Sequence, residues 1–168
     1  MKRATILAAF AVAAAPALAL SAQEEFRWAG KVAAGQAIEI KGVNGGITAV
    51  GVSGGEVEVT AVKKGRRSDP AGVKVEVVEH EGGVTICAVY PSEGPANECA
   101  PGKGGRMQVR DNDVNVEFHV KVPAGVRFVG RSVNGGIEAS GIQADAEAET
   151  VNGGITLRGA RGGGMPPR

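Results

Sequence analysis

Val133-Asn134-Gly135-Gly136-Ile137 occurs three times in this chain. It appears earlier as Val43-Asn44-Gly45-Gly46-Ile47 and later as Val151-Asn152-Gly153-Gly154-Ile155. Asn152 follows Asn134 by 18 residues. The flanks repeat in kind: Thr48-Ala49-Val50-Gly51-Val52 follows the first copy and Glu138-Ala139-Ser140-Gly141-Ile142 the second. The unit is a turn, a short strand, a glycine and the next turn. A fixed period of about twenty residues is the mark of stacked repeats that each bury a face on a neighbour. Asn-Gly suits tight turns because both residues tolerate a left-handed backbone. Two arrangements satisfy it. Either the triplets close antiparallel hairpins of a sandwich, or they form corners of a coil in which like positions stack. Equal spacing favours corners for the C-terminal part, and in a coil Asn44, Asn134 and Asn152 are expected to stack as an amide ladder.

Away from the repeats the chain alternates with a period of two. Val57, Val59 and Ala61 alternate with Glu58, Thr60 and Val62, and Val114, Val116, Phe118, Val120 and Val122 with Asn115, Glu117, His119 and Lys121. This places the first set inward and the second outward. Ala144, Ala146 and Ala148 alternate with Asp145, Glu147 and Glu149, which predicts a narrow interior at that level. Further strands are predicted at Ala37–Lys41, Val73–Glu79, Val84–Tyr90 and Val126–Val129. The longer stretches Val73–Tyr90 and Val114–Val122 read as antiparallel ribbons with one wet face. The predicted fold is all-β: β-solenoid-like stacked short strands with longer antiparallel strands. No helical period appears beyond the first segment.

That first segment reads as a secretory signal peptide. Lys2 and Arg3 precede an apolar Ala/Leu-rich run from Ala4 to Leu20, and Ser21-Ala22 ends it before Gln23-Glu24-Glu25. Cleavage after Ala22 is expected, which leaves no membrane span. The domain scheme is therefore 1–22 signal peptide, 23–36 N-terminal extension, 37–160 repeat-containing β domain and 161–168 flexible tail. The 168 residues suit one domain. Only 4% are aromatic, so the core must be built from Val, Ile and Ala. Removing Lys2 and Arg3 from the 19 basic residues leaves 17, against 18 acidic ones. A near-neutral domain lacks the basic field of a nucleic-acid binder. The cluster Lys63-Lys64-Gly65-Arg66-Arg67 reads as a solvated loop. Cys87 and Cys99 flank Pro91, Gly94 and Pro95, and in an oxidising compartment they are expected to pair. That disulfide would pin a long irregular segment, Pro91 to Gln108.

Val122-Pro123-Ala124-Gly125-Val126 followed by Arg131-Ser132-Val133-Asn134-Gly135-Gly136-Ile137 resembles the large bacterial family of putative-adhesin domains of unknown function. In that family a Val-Pro-x-Gly turn precedes stacked Val-Asn-Gly repeats. The Asn44 copy and the strand Val57–Lys63 match its opening, and the likeness runs from Ala37 to Gly159. The resemblance implies a β-solenoid, an envelope or surface location and no established biochemical activity. Such domains continue through more repeats, whereas this chain ends at Gly162-Gly163-Gly164-Met165-Pro166-Pro167-Arg168.

Reactive constellations are sparse. His80 and His119 read as exposed strand residues without a nucleophile at a useful spacing. Asp111-Asn112-Asp113 alternates oxygens as a calcium loop does, but the mid-loop glycine and distal acid are missing, so it reads as a polar turn. Asp145, Glu147 and Glu149 read as a solvated stripe rather than the paired acids of a glycosidase. No metal site and no cofactor is expected. The expected function is an exported envelope or surface module, periplasmic, surface-bound or secreted, that binds or builds and does not catalyse. The alternatives are an envelope-stress or self-assembling scaffold component and, behind it, a carbohydrate-active enzyme. Its partner is an unknown envelope or surface component. The C-terminal repeat, left uncovered, is expected to favour self-association through its edge.

Overall fold

The computed structural model describes residues 23–159, so the predicted signal peptide lies outside the described residues, as does the tail from 160 onward. The described chain forms β1 (Gln23–Gly30), β2 (Ala37–Lys41), β3 (Ile47–Val52), β4 (Val57–Lys64), β5 (Lys74–His80), β6 (Gly83–Val89), β7 (Asn115–Pro123), β8 (Arg127–Asn134), β9 (Ile137–Ser140), β10 (Ala146–Asn152) and β11 (Ile155–Arg158). A 3-10 turn, Pro70–Gly72, sits between β4 and β5. The fold is all-β, in two mixed sheets. The first is ordered β1-β4-β7-β3-β9-β11 and the second β10-β8-β2-β6-β5.

The topology follows from the repeats. Each layer contributes one strand to each sheet: β6 with β7, β2 with β3, β8 with β9, β10 with β11. From layer to layer the strands run parallel, β6-β2-β8-β10 on one side and β7-β3-β9-β11 on the other. Antiparallel strands finish the opposite end, β5 on β6, and β4 then β1 on β7. The repeat register is exact in residue terms: Asn44 bridges Asn134, Asn152 pairs with Asn134, and Ile47, Ile137 and Ile155 share one column. The Asn-Gly-Gly triplets therefore join a strand of one sheet to a strand of the other, and none closes a hairpin.

Alternation places the core as expected along β4 and β7. Val57, Val59 and Ala61, and Val114, Val116, Phe118, Val120 and Val122, are all buried between the sheets. They pack with Ile38, Ile40, Ile86, Phe128 and Ile137 in one cluster. Removing each such side chain from water contributes about 1.5–3 kcal/mol, so many Val and Ile residues do the work that few aromatics cannot. Tyr90 is the largest fully buried side chain. Its hydroxyl donates to the Val114 carbonyl at 2.8 Å, and burial pushes its pKa up to about 12.

Four sequence expectations are corrected. The ribbon Val73–Tyr90 is not wet on one face throughout: β6 is antiparallel to β5 but parallel to β2, and is buried along its whole length because a later segment covers its outer side. Residues 23–36 are more than an extension, since β1 pairs with β4 over eight residues and lays Phe26 and Trp28 against the core. Lys63 is no loop residue. It lies in β4, is buried, and its ammonium donates to the Val73 carbonyl at 2.8 Å and pairs with Glu24 at 2.7 Å. His80 is half-buried, and Gly82 N–H donates to its Nδ1 at 3.2 Å.

Within Asp111-Asn112-Asp113, the Asn112 and Asp113 side chains organise the chain. Asp113 accepts from the backbone N–H of Ser68 at 2.9 Å and of Arg67 at 3.0 Å, and Asn112 Oδ1 accepts from Val114 N–H. The Ser68 and Arg67 amides hold the Asp113 carboxyl at a pKa of about 2. A depressed folded-state value gives stability that is present above the unfolded value of about 3.9 and is lost as the pH falls through the folded value. The Tm difference between the parent and Asp113→Asn is thus expected to be constant near neutral pH and to shrink toward pH 2. Melts across an acid series check it; a difference independent of pH contradicts it.

Candidate functional site

The Asn-Gly-Gly column is the first candidate. Asn134 Nδ2 donates to Asn44 Oδ1 at 3.1 Å, and Asn152 Nδ2 donates to Asn134 Oδ1 at 3.0 Å. Backbone bonds reinforce each step. Gly45 N–H donates to the Asn134 carbonyl, and Gly135 N–H to the Asn152 carbonyl, both at 3.0 Å. The hydroxyls of Ser132 and Thr150, each two residues before its asparagine, donate to the carbonyls of Gly45 and Gly135. The glycines are required by closeness more than by backbone angle. A Cβ on Gly135 would collide with the Gly45 carbonyl, and one on Gly153 with the Gly135 carbonyl. Gly46 and Gly136 face the layers beside them, whereas a Cβ on Gly154 would meet open space.

At β10 and β11 this column ends. Neither strand has a neighbour on its outer side among the described residues. Val151 is 73% exposed, Ile155 45% and Leu157 44%. In contrast, Ile137 and Ile47, one and two layers in, are buried. The ladder's alternation also turns the backbone groups of Gly153, Ile155 and Leu157 outward. An edge with free donors and acceptors beside exposed apolar side chains is a template for another strand.

The second candidate is the segment Pro91–Gln108, which lies as a strap across the outer face of the second sheet. Cys87 and Cys99 are joined in a disulfide, with Cα atoms 5.7 Å apart. Glu98 and Arg106 pair across it, so the strap is itself a narrow loop. Lys41 is the second anchor: its ammonium donates to the carbonyls of Ala100, Gly102 and Gly104 at 2.8, 2.9 and 2.8 Å. Burial pushes the Lys41 pKa below its usual value, against the pull of Glu39. Glu39, itself buried, accepts from Gly102 N–H at 2.9 Å, from the Thr85 hydroxyl at 2.8 Å and from Arg131 Nε at 3.0 Å. Arg131 then reaches Glu147 at 2.9 Å and Glu149. Burial acts to lower the Arg131 pKa, but Glu39, Glu147 and Glu149 outweigh it and raise it. The cleft left between strap and sheet is about 170 Å³ and is lined by Lys41, Met107, Arg131 and Val133 among others. Ligand pockets run to roughly 300–1,000 Å³, so this one is small.

Replacing both Cys87 and Cys99 with serine is expected to cost about 3 kcal/mol. Denaturant melts would show it, with faster amide exchange in the strap and unchanged exchange in β4 and β7. Free thiols in exported material, or a pair of serines without effect, would contradict the pinning role.

Glu147 and Glu149 lie side by side on one outer strand face and share Arg131. Two acids facing each other across a cleft are the geometry of a glycosidase, and this is a different one. His119 is exposed on β7. His80 Nε2 lies 3.0 Å from the Thr85 hydroxyl. Sequence reasoning missed Glu39, Lys41, Thr85 and Arg131. A signal was present: aligning the repeats puts Lys41, Arg131 and Glu149 each three residues before an asparagine, which marks one charged column. No helix among the described residues is long and apolar enough to cross a membrane.

Comparison with known proteins shows no matching family model and no matching curated protein. Solved structures similar to this chain include a putative cell adhesion protein from Clostridium sporogenes ATCC 15579, at 10% identity and a TM-score of 0.44, covering 82% of this chain and 59% of that one. Another is a putative adhesin from Bacteroides fragilis NCTC 9343, at 9% identity and a TM-score of 0.34, covering 79% and 61%. The chain thus spans about three fifths of the length of these structures.

Proposed function

We propose that this chain is an exported module of the cell envelope or cell surface, adhesin-like, that acts by binding and has no catalytic activity. Its four parallel layers form a short β-solenoid, and the open end at β10 and β11 is the binding edge. The observation that carries this reading is the edge itself, uncovered among the described residues, with Val151, Ile155 and Leu157 exposed beside outward-facing backbone groups. Export is supported by the N-terminal Lys-Arg start and apolar run, and by the disulfide, which suits an oxidising compartment. Glu147 and Glu149 lie side by side on one outer strand face and share Arg131, an arrangement that supports binding rather than hydrolysis. A second reading, self-assembly into a scaffold, draws on the same edge, because an unpaired strand is open to a second copy of the chain.

The test is retention on immobilised envelope extract, with light scattering on the eluted protein. The parent chain is expected to be retained, and a Val151→Glu/Leu157→Glu variant to pass through while keeping its melt. Equal retention of both would overturn the edge as the binding surface. A parent that elutes as a dimer, against a monomeric variant, would select the scaffold reading.

A further inference from the structure

We infer that the β10/β11 edge selects its partner by sequence, and that the partner is a segment of another chain with the pattern Lys/Arg-Ser/Thr-x-Asn-Gly-Gly-Ile. This rests on the open edge being a binding surface, and it names what that surface takes.

The inference comes from how each layer receives the next. Going from the β2/β3 layer to β8/β9, the Asn134 backbone N–H donates to the Val43 carbonyl at 2.7 Å and its carbonyl accepts from Gly45 N–H. Its side-chain amide donates to Asn44 Oδ1, the Ser132 hydroxyl to the Gly45 carbonyl, and the Gly136 carbonyl accepts from Ile47 N–H. Going from β8/β9 to β10/β11 the same positions repeat: Asn152 on Gly135 and Asn134, Thr150 on Gly135, Gly154 on Ile137. The outer layer offers the same receptors again. These are the Val151 carbonyl, Gly153 N–H and carbonyl and Ile155 N–H, which the ladder's alternation turns away from the neighbouring layer, and Asn152 Oδ1, which has no hydrogen-bond partner among the described residues.

Each receptor restricts the occupant. The Gly153 carbonyl stands where the Gly135 and Gly45 carbonyls stand one and two layers in, and there a Cβ in the covering layer collides. The residue after the partner's asparagine must be glycine. Asn152 Oδ1 is an acceptor, so it calls for an amide donor. Above Glu149 the column Lys41-Arg131-Glu149 calls for a base, since Glu149 is exposed and carries one oxygen beyond its Arg131 contact. Backbone pairing alone would admit any strand; the glycine clash and the amide acceptor supply discrimination. Within this chain the segment Arg131–Ile137 has the whole pattern, but it is enclosed by β2/β3 and β10/β11. A second folded copy therefore cannot present it.

The experiment uses a labelled peptide of residues Arg127–Ser140, titrated into the exported chain and read by fluorescence anisotropy. Exchange of the Gly153–Leu157 amides gives its location. The parent peptide is expected to saturate and to slow the Ile155 and Leu157 amides. The same peptide with Gly135→Ala, or with Asn134→Ala, is expected to bind about tenfold more weakly or worse. If the Gly135→Ala peptide binds as well as the parent, the edge pairs with strands in general, and sequence selection is overturned while edge binding stands. Copy-to-copy dimerisation that the peptide does not displace overturns it in the same way. No saturable binding overturns it outright. If the Ile155 and Leu157 amides are also slow in the free monomer, edge binding falls with it.

Discussion

Replacing Gly135 with alanine is expected to cost about 3 kcal/mol, whereas the same change at Gly154 should stay within about 0.5 kcal/mol. Both glycines belong to the same motif, so composition and propensity do not separate them. What separates them is direction: a methyl on the first glycine of a triplet points to the layer behind, and one on the second points to the layer ahead, which Gly154 lacks among the described residues. The added methyl at Gly135 meets the Gly45 carbonyl, part of a backbone fixed by parallel bonds on both sides, and at Gly154 it meets nothing within 4 Å. Backbone cannot swing aside as the end of a long side chain can, so the layers must part and lose the Asn134–Asn44 bond as well. Denaturant melts of the two variants provide the check. Equal losses would mean that the glycines serve local turn geometry and not stacking.

The second large effect is expected at Arg131. Arg131→Met should cost about 3 kcal/mol, because removing one partner of a buried ion pair leaves the other charged and unmatched. Glu39 is the partner left behind, with only 8% of its side chain exposed, and the Thr85 hydroxyl and Gly102 N–H remain to it. The outer arms are different in kind. Glu147 and Glu149 keep more than half of their side chains exposed, so Glu147→Gln should change stability by less than about 1 kcal/mol. Adding Glu39→Gln to Arg131→Met should restore part of the loss, with a coupling of about 2 kcal/mol. A double variant that loses the sum of the two single losses would show that the pair does not act as a unit.

Strand periodicity made much of this fold legible. The alternation of β4 and β7, the span of β2 and the two bridged cysteines stand where the residue pattern puts them. The rest was hidden for physical reasons. Period two tells which face of a strand is buried, not which strand lies beside it. Nothing local in Val84–Tyr90 reveals that the β6/β7 layer precedes β2/β3 in space while following it in sequence. Lys63 looked solvated because a lysine among basic neighbours usually is. It is buried because Glu24 and the Val73 carbonyl come to it from other elements. The same holds for Glu39, whose partners Thr85, Gly102 and Arg131 lie 46, 63 and 92 residues away. Phe26 and Trp28 alternate, but a single apolar pair close to the expected cleavage point is too short a pattern to mark a strand without its partner β4.

For the edge itself the repeats were informative and the strap was not. The three asparagines could be placed in one column from their spacing. The polar cluster behind Arg131 needed the fold, since the strap that completes it has no strand period of its own.

Binding through the β10/β11 end requires that this end be open in the exported chain. Residue-resolved amide exchange on dilute protein, shown to be monomeric by light scattering, measures this directly. The predicted result is fast exchange at Ile155 and Leu157, whose N–H groups face away from β9, beside slow exchange at Thr156 and Arg158, which face it. Slow exchange at all four positions in a monomer would contradict the account, because the edge would already be covered.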